Sequence, residues 1–113
     1  MTIRASDLLG HMVDNMTAEN WHQGSMMSAD RHGRCVFGHL LLARTVMEDA
    51  PYLTRVEAAH YLLTEVRREI QLSDETQVSA VELWNDNPQT TFEDVSLIVK
   101  RAYVEAVENE ETQ

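Results

Sequence analysis

The sequence predicts an all-α domain, a compact bundle of about five helices around a buried central helix at about 34–49. Three observations carry that expectation. Between Cys35 and Val46 the stretch GRCVFGHLLLARTVM has only His39, Arg44 and Thr45 as polar residues. A helix apolar around most of its girth is buried rather than docked by one face, and this one is well short of the roughly 20 apolar residues that span a bilayer. On both sides of it, apolar residues recur at steps of three and four, and no alternating apolar–polar run bounded by turns suggests a strand. The chain of 113 residues suits one hydrophobic core, so residues 1–113 are expected to form a single domain.

From Ala5 to Met16 the apolar positions 5, 8, 9, 12, 13 and 16 share one helical face. Thr17 is a candidate cap for a further turn that delivers Trp21 toward the core. Residues 22–34, with two glycines and no sustained period, read as a loop. Met26 and Met27 are expected to pack as adaptable filler, with a soft contact surface as the alternative. Gly38 inside the central helix costs roughly 1 kcal/mol of propensity relative to Ala, which suggests that another element crosses close to it.

Pro51 ends that helix. Thr54 with Glu57 has the spacing of a capping box, and the seam Val56, Ala59, Leu63, Val66 and Ile70, widened by Leu62, leaves Arg55, Glu57, Glu65, Arg67, Arg68 and Glu69 outside. Ser73, followed by Asp74 and Glu75, opens a fourth helix that buries Val78, Val81 and Trp84 and stops at Asn85-Asp86-Asn87-Pro88. Thr90 with Glu93 is a second capping box ahead of the seam Phe92, Val95, Val99, Ala102 and Ala106. The acidic tail from about 108 is expected to fray.

Nineteen acids against nine bases leave a net charge of −10, of which residues 73–113 carry −8. Such a surface repels phosphate backbones, so direct nucleic-acid binding is not expected. Solubility, a basic protein partner or imitation of nucleic acid each fit it. Cys35 is the lone cysteine and the N-terminal apolar stretch is broken by Asp7, Gly10, His11 and Asp14, so the expected compartment is the cytoplasm, with no membrane role.

Three boxes carry a resemblance. Trp21-His22-Gln23-Gly24, then Gly33-Arg34-Cys35 with Gly38, then Leu83-Trp84-Asn85-Asp86 with Pro88, Thr90 and Asp94-Val95 resemble a small domain family of unknown function met in actinobacteria and their phages. The family pattern reads W-x-Q-G, G-R-C-x-x-G-A-L and W-N-D-x-P-G-x-T, and the likeness runs from about residue 5 to 106. His39 departs from the usual Ala, and Gln89 from a Gly that would allow a positive backbone angle. The resemblance implies a fold and a setting, which would be the host cytoplasm for a phage-encoded chain, and it implies no mechanism.

His32, Cys35 and His39 are the sharpest chemical candidates. On a continuous helix they would share a face and offer a zinc ligand set, with Asp30 or His22 as a fourth ligand, but Gly33 at the helix start disturbs the register. Cys35 as a nucleophile activated by His39 would need solvent access that its apolar neighbours oppose. Neither a metal nor another cofactor is therefore expected. In the Trp84-Asn85-Asp86 box the amide and carboxylate are expected to satisfy loose backbone at helix ends, and Arg34 to pair with a buried acid such as Asp86.

The leading functional expectation is a non-enzymatic protein-interaction module, in one form a phage-encoded modulator of a host protein, using the acidic C-terminal third or the 22–33 loop. One alternative is an acidic DNA mimic, which needs Asp74, Glu75, Glu82, Asp86, Glu93, Asp94, Glu105 and Glu108 along one ridge. Another is a metal- or thiol-dependent enzyme using His32, Cys35 and His39. A homo-oligomer would result if the 56–70 seam faced a second copy.

Overall fold

The computed structural model describes residues 2–48, 50–70 and 79–112, with the side chains of Ile70 and Ser79 outside the description. Five helices, α1 (Ala5–Asn15), α2 (Val36–Val46), α3 (Tyr52–Ile70), α4 (Ser79–Asp86) and α5 (Phe92–Glu111), form an all-α bundle. The long α5 packs against α1 and α3, while α2 contacts α1, α3 and α4. No helix among the described residues is long and apolar enough to cross a membrane.

The central helix is shorter than expected, and its burial falls off toward its C-terminal end. It begins at Val36, not Arg34, because Cys35 is its N-cap in extended conformation. Val36, Leu40 and Ala43 are buried, but Phe37 and Leu41 are half-exposed and Val46 is 57% exposed. Apolar girth overstated its burial, since apolar atoms also make up much of any folded surface.

Ala5, Leu8, Leu9 and Met12 bury one face of α1, as the spacing predicts. Beyond it Thr17 and Asn20 satisfy each other reciprocally, Thr17 N–H donating to Asn20 Oδ1 at 2.8 Å and Asn20 N–H to Thr17 Oγ1 at 3.2 Å. That turn brings Trp21 onto the core.

α3 starts two residues before Thr54, so the expected box with Glu57 does not form. Thr54 is buried instead, its hydroxyl donating to the Ile3 carbonyl at 3.4 Å. The buried face of α3 is Ala58, Leu62, Leu63 and Val66, rotated from the expected seam so that Val56 and Ala59 are half-exposed. The rotation also takes Glu65 inside, at 5% exposure, where the sequence placed it outside.

The expected start of the fourth helix, Ser73 to Val78, lies outside the described residues. Within α4, Val81 and Trp84 are buried as expected. The cap of α5 is displaced by one residue. Thr91 and Asp94 form the box, through Asp94 N–H to Thr91 Oγ1 at 3.2 Å and Thr91 N–H to Asp94 Oδ2 at 2.9 Å. Thr90 is buried, its hydroxyl donating to the Trp84 carbonyl at 2.7 Å.

Nor does α5 end near 108. It continues through Glu111, and Glu110 takes Ser6 Oγ–H at 2.7 Å and Ser6 N–H at 3.3 Å. A carboxylate on the first turn of α1 suits the helix dipole and gives the acidic end a partner. Where α1 crosses α5, a Cβ on Gly10 would meet Tyr103 Cε1 at 3.0 Å, so glycine permits the close approach.

Candidate functional site

The three boxes converge on one buried side chain. Asn85 is 1% exposed, and all four of its amide hydrogen-bonding positions are used. Its Oδ1 accepts from Trp21 Nε1 at 2.8 Å and from the Val36 N–H at 3.2 Å, while its Nδ2 donates to the His22 carbonyl and to Asp86 Oδ1, each at 3.0 Å. Val36 opens α2, so Asn85 also satisfies one of that helix's loose amides. Around this hub Gln23 Nε2 donates to the carbonyls of Asn85 and Asn87 at 2.9 and 2.8 Å, and the Gly24 N–H donates to Asp86 Oδ1 at 2.8 Å. The expected local role of Asn85 and Asp86 is thus mostly a long-range one.

Arg34 works through its backbone. Its N–H donates to the Asn20 carbonyl at 2.7 Å and its carbonyl accepts from His22 N–H at 2.9 Å, giving the isolated bridge to Trp21, while Cys35 N–H to the Met26 carbonyl and Ser28 N–H to the Gly33 carbonyl give the bridge to Met27. An Arg34–Asp86 ion pair is not among those of the described residues; the Asp86 carboxylate accepts from Gly24 and Asn85 instead. The element crossing Gly38 is the loop itself: a Cβ there would lie 2.5 Å from the Met26 carbonyl oxygen, which already accepts from Cys35 N–H.

His32, Cys35 and His39 point to separate tasks. Cys35 Sγ accepts from Gly38 N–H at 3.4 Å as the cap of α2, and burial pushes its thiol up, with the carboxylates of Asp86 and Glu82 adding to the effect. His39 is buried, its Nε2 paired with the Asn20 carbonyl at 2.9 Å, so that nitrogen carries the hydrogen. Burial holds its ring below the ordinary histidine range, in the neutral form. His32 is exposed on the loop, and no group of three or more His, Cys, Asp or Glu among the described residues is arranged to hold a metal. His22 bonds Ser25 Oγ, and Asp30 accepts from Ser28 Oγ–H and His32 N–H, bonds that hold its carboxyl below the usual range.

The 22–33 loop is therefore pinned at Gln23, Gly24, Met26 and Ser28, the last by its N–H to the Gly33 carbonyl at 2.8 Å. Its two methionines do not pack as filler. Met26 is 45% and Met27 39% exposed. Beneath the loop lie two adjoining cavities. One, of about 230 Å³, has Gly24, Met26, Cys35, Glu82 and Asp86 in its wall. The other, of about 210 Å³, shares Met26 and Glu82 and continues over Phe37, Leu40 and Leu41.

A second polar cluster escaped the sequence reading. Arg68 Nη1 bridges Glu65 at 2.8 Å and Glu105 at 3.0 Å in an open groove between α3 and α5. Burial raises the Glu65 carboxyl, with the neighbouring Glu105 acting in the same direction. The signal available in the sequence was Glu65 standing three residues after Leu62, beside the seam. For the DNA-mimic alternative, Asp74 and Glu75 lie outside the described residues. Asp86, Asp94 and Glu105 are engaged by Gly24, Thr91 and Arg68, and Lys100 and Arg101 interrupt the ridge near Glu105 and Glu108.

Over residues 1–105 the chain matches DUF6197, a family of unknown function, and it belongs to that family. No curated protein and no solved structure matches it.

Proposed function

We propose, for a chain whose family carries no assigned activity, that this protein is a non-enzymatic interaction module in which the 22–33 loop recognises a protein partner. The observation that carries the reading is the exposure of Met26 and Met27, at 45% and 39%, on a loop whose backbone is held from two sides. Thioether side chains adapt to many apolar shapes, and a loop already ordered loses less entropy on binding. Glu82, beside Met26 in both cavities, and the net charge of −10 favour a segment presenting an apolar side chain next to Lys or Arg. For a phage-encoded chain the partner is a host protein and the compartment the host cytoplasm.

A thiol enzyme is the weaker reading, because Cys35 is buried, capped and held protonated. The test is affinity capture from host lysate with three baits: the wild type, M26E/M27E and E82K. A partner retained by the wild type and lost with M26E/M27E, which melts like the wild type, is the expected result. Weaker capture by E82K would support the basic character of that partner. Capture that ignores the methionines, or no reproducible partner, overturns the proposal.

A further inference from the structure

Acids outnumber bases nineteen to nine in this chain, so an arginine without a carboxylate is unexpected. Among the arginines of the described residues that join no ion pair, two also bury a guanidinium nitrogen. Among the described residues neither Arg44 nor Arg55 joins an ion pair, and the Nε of each is buried with no hydrogen-bond partner. Both guanidinium groups lie over the Tyr52 ring, 4.8 Å from its centroid for Arg55 and 6.0 Å for Arg44. A cation over an aromatic face is attracted to it, but the ring offers no acceptor for a buried N–H.

Arg55 is also the one cation in the wall of the 210 Å³ cavity. The walls beside it are apolar: Phe37, Leu40 and Leu41 from α2, Ala59 from α3 and Met26 from the loop. Phe37, Leu41 and Arg44 follow at steps of four and three on α2, as Tyr52, Arg55 and Ala59 do at three and four on α3, so each helix places apolar and cationic residues along one face. Phe37 and Leu41 of one row and Arg55 and Ala59 of the other line the cavity, with Arg44 beyond its wall on the far side of the Tyr52 ring contact. Glu82 stands where this cavity meets the neighbouring one.

We propose that this cavity binds a small monocarboxylate with an apolar body, its carboxylate on the Arg55 guanidinium and its hydrocarbon against Phe37, Leu41, Ala59 and Met26. Arg44 adds positive potential at the head end. Glu82 disfavours a second carboxylate on the same ligand. At about 210 Å³ the cavity suits a short acyl chain. Met26 and Glu82 border both this site and the surface proposed above for a protein partner.

The probes are hexanoate, hexylamine and adipate, titrated into the ¹⁵N-labelled full chain and followed by amide chemical shifts. Saturable hexanoate shifts at Phe37, Leu41, Arg55 and Ala59 are expected, with hexylamine silent and adipate weaker. Arg55→Gln should weaken hexanoate roughly tenfold or more, the scale of a lost charge-assisted hydrogen bond. Ala59→Leu, which fills the tail end and leaves both arginines, should block binding while melting like the wild type. Absence of saturable shifts, hexylamine or adipate binding as tightly as hexanoate, or unchanged affinity in Arg55→Gln would each overturn the proposal.

Discussion

The Trp21 indole N–H donates to Asn85 Oδ1 at 2.8 Å across sixty-four residues of chain. With this bond the first box of the sequence is tied to the third, and through the Val36 amide on the same oxygen the second is tied to both. Asn85 is thus a buried connector with no spare hydrogen-bonding capacity.

Asn85→Ala should therefore cost about 3 kcal/mol or more. It strands the Trp21 and Val36 donors and the His22 acceptor together, and each unsatisfied buried group costs roughly 1–3 kcal/mol. Urea unfolding followed by circular dichroism measures this, and a loss under about 1 kcal/mol would show that water replaces the amide cheaply.

Gly38→Ala sets two effects of opposite sign against each other. Helix propensity favours Ala by roughly 1 kcal/mol, but the added Cβ would lie 2.5 Å from the Met26 carbonyl oxygen, which is backbone and cannot swing away. Overpacking of this kind costs typically about 1–3 kcal/mol, so a lower melting temperature is expected, with amide shifts changing at Met26 and Cys35.

Thr91→Ala should cost about 1 kcal/mol through loss of the α5 cap. Thr90→Val tests the neighbouring position separately, since it leaves that cap intact and removes the hydroxyl bond to the Trp84 carbonyl. Denaturant midpoints of the two single variants and the double variant will show whether the losses add. If Thr91→Ala were neutral and only Thr90→Val costly, the box would sit at Thr90 and Glu93 after all.

His39 gives a pH dependence with a definite sign. Its folded-state value lies below 6.5, first because of burial, with Arg34 and His11 reinforcing and the Asn20 carbonyl opposing. As pH falls through 6.5 the unfolded chain takes up a proton that the folded chain refuses, so stability is full above that value and is lost below it. His39→Gln should lose less stability than the wild type between neutral pH and about 5. Parallel pH curves for the two proteins would exclude His39 as the source.

Cys35 should react with Ellman's reagent on the order of a hundredfold more slowly in the native protein than in denaturant, because the thiolate is the reactive form and burial disfavours it. Equal rates would revive the nucleophile reading.

How much was legible follows from where each signal lives. Helices announce themselves through local spacing, so α1 and the buried Val95, Val99, Ala102 and Ala106 of α5 could be read directly. Caps were harder, because Thr90/Glu93 and Thr91/Asp94 have the same spacing, and it is the contact of Thr90 with Trp84 that goes with the second register. The acidic tail from about 108 was read from composition alone, which could not show that α5 continues through Glu111 or that Ser6 binds Glu110. The turn after Pro88 manages without glycine: Arg31 is the one non-glycine with positive φ among the described residues, and Gln89 N–H donates to Asn87 Oδ1 at 2.9 Å.

The amino-acid order by itself determined the helical class, the three boxes and the close approach at Gly38, because propensity, periodicity and a misplaced glycine are properties of neighbours in the chain. Only the tertiary structure decided that the boxes meet at Asn85, that Glu65 lies inside, that Met26 and Met27 lie outside, and that Arg44 and Arg55 share a ring without an acid. These are relations between residues distant in sequence. They depend on how far each helix rotates about its axis when it packs, and a seam read along one helix leaves that rotation open by a residue on either side.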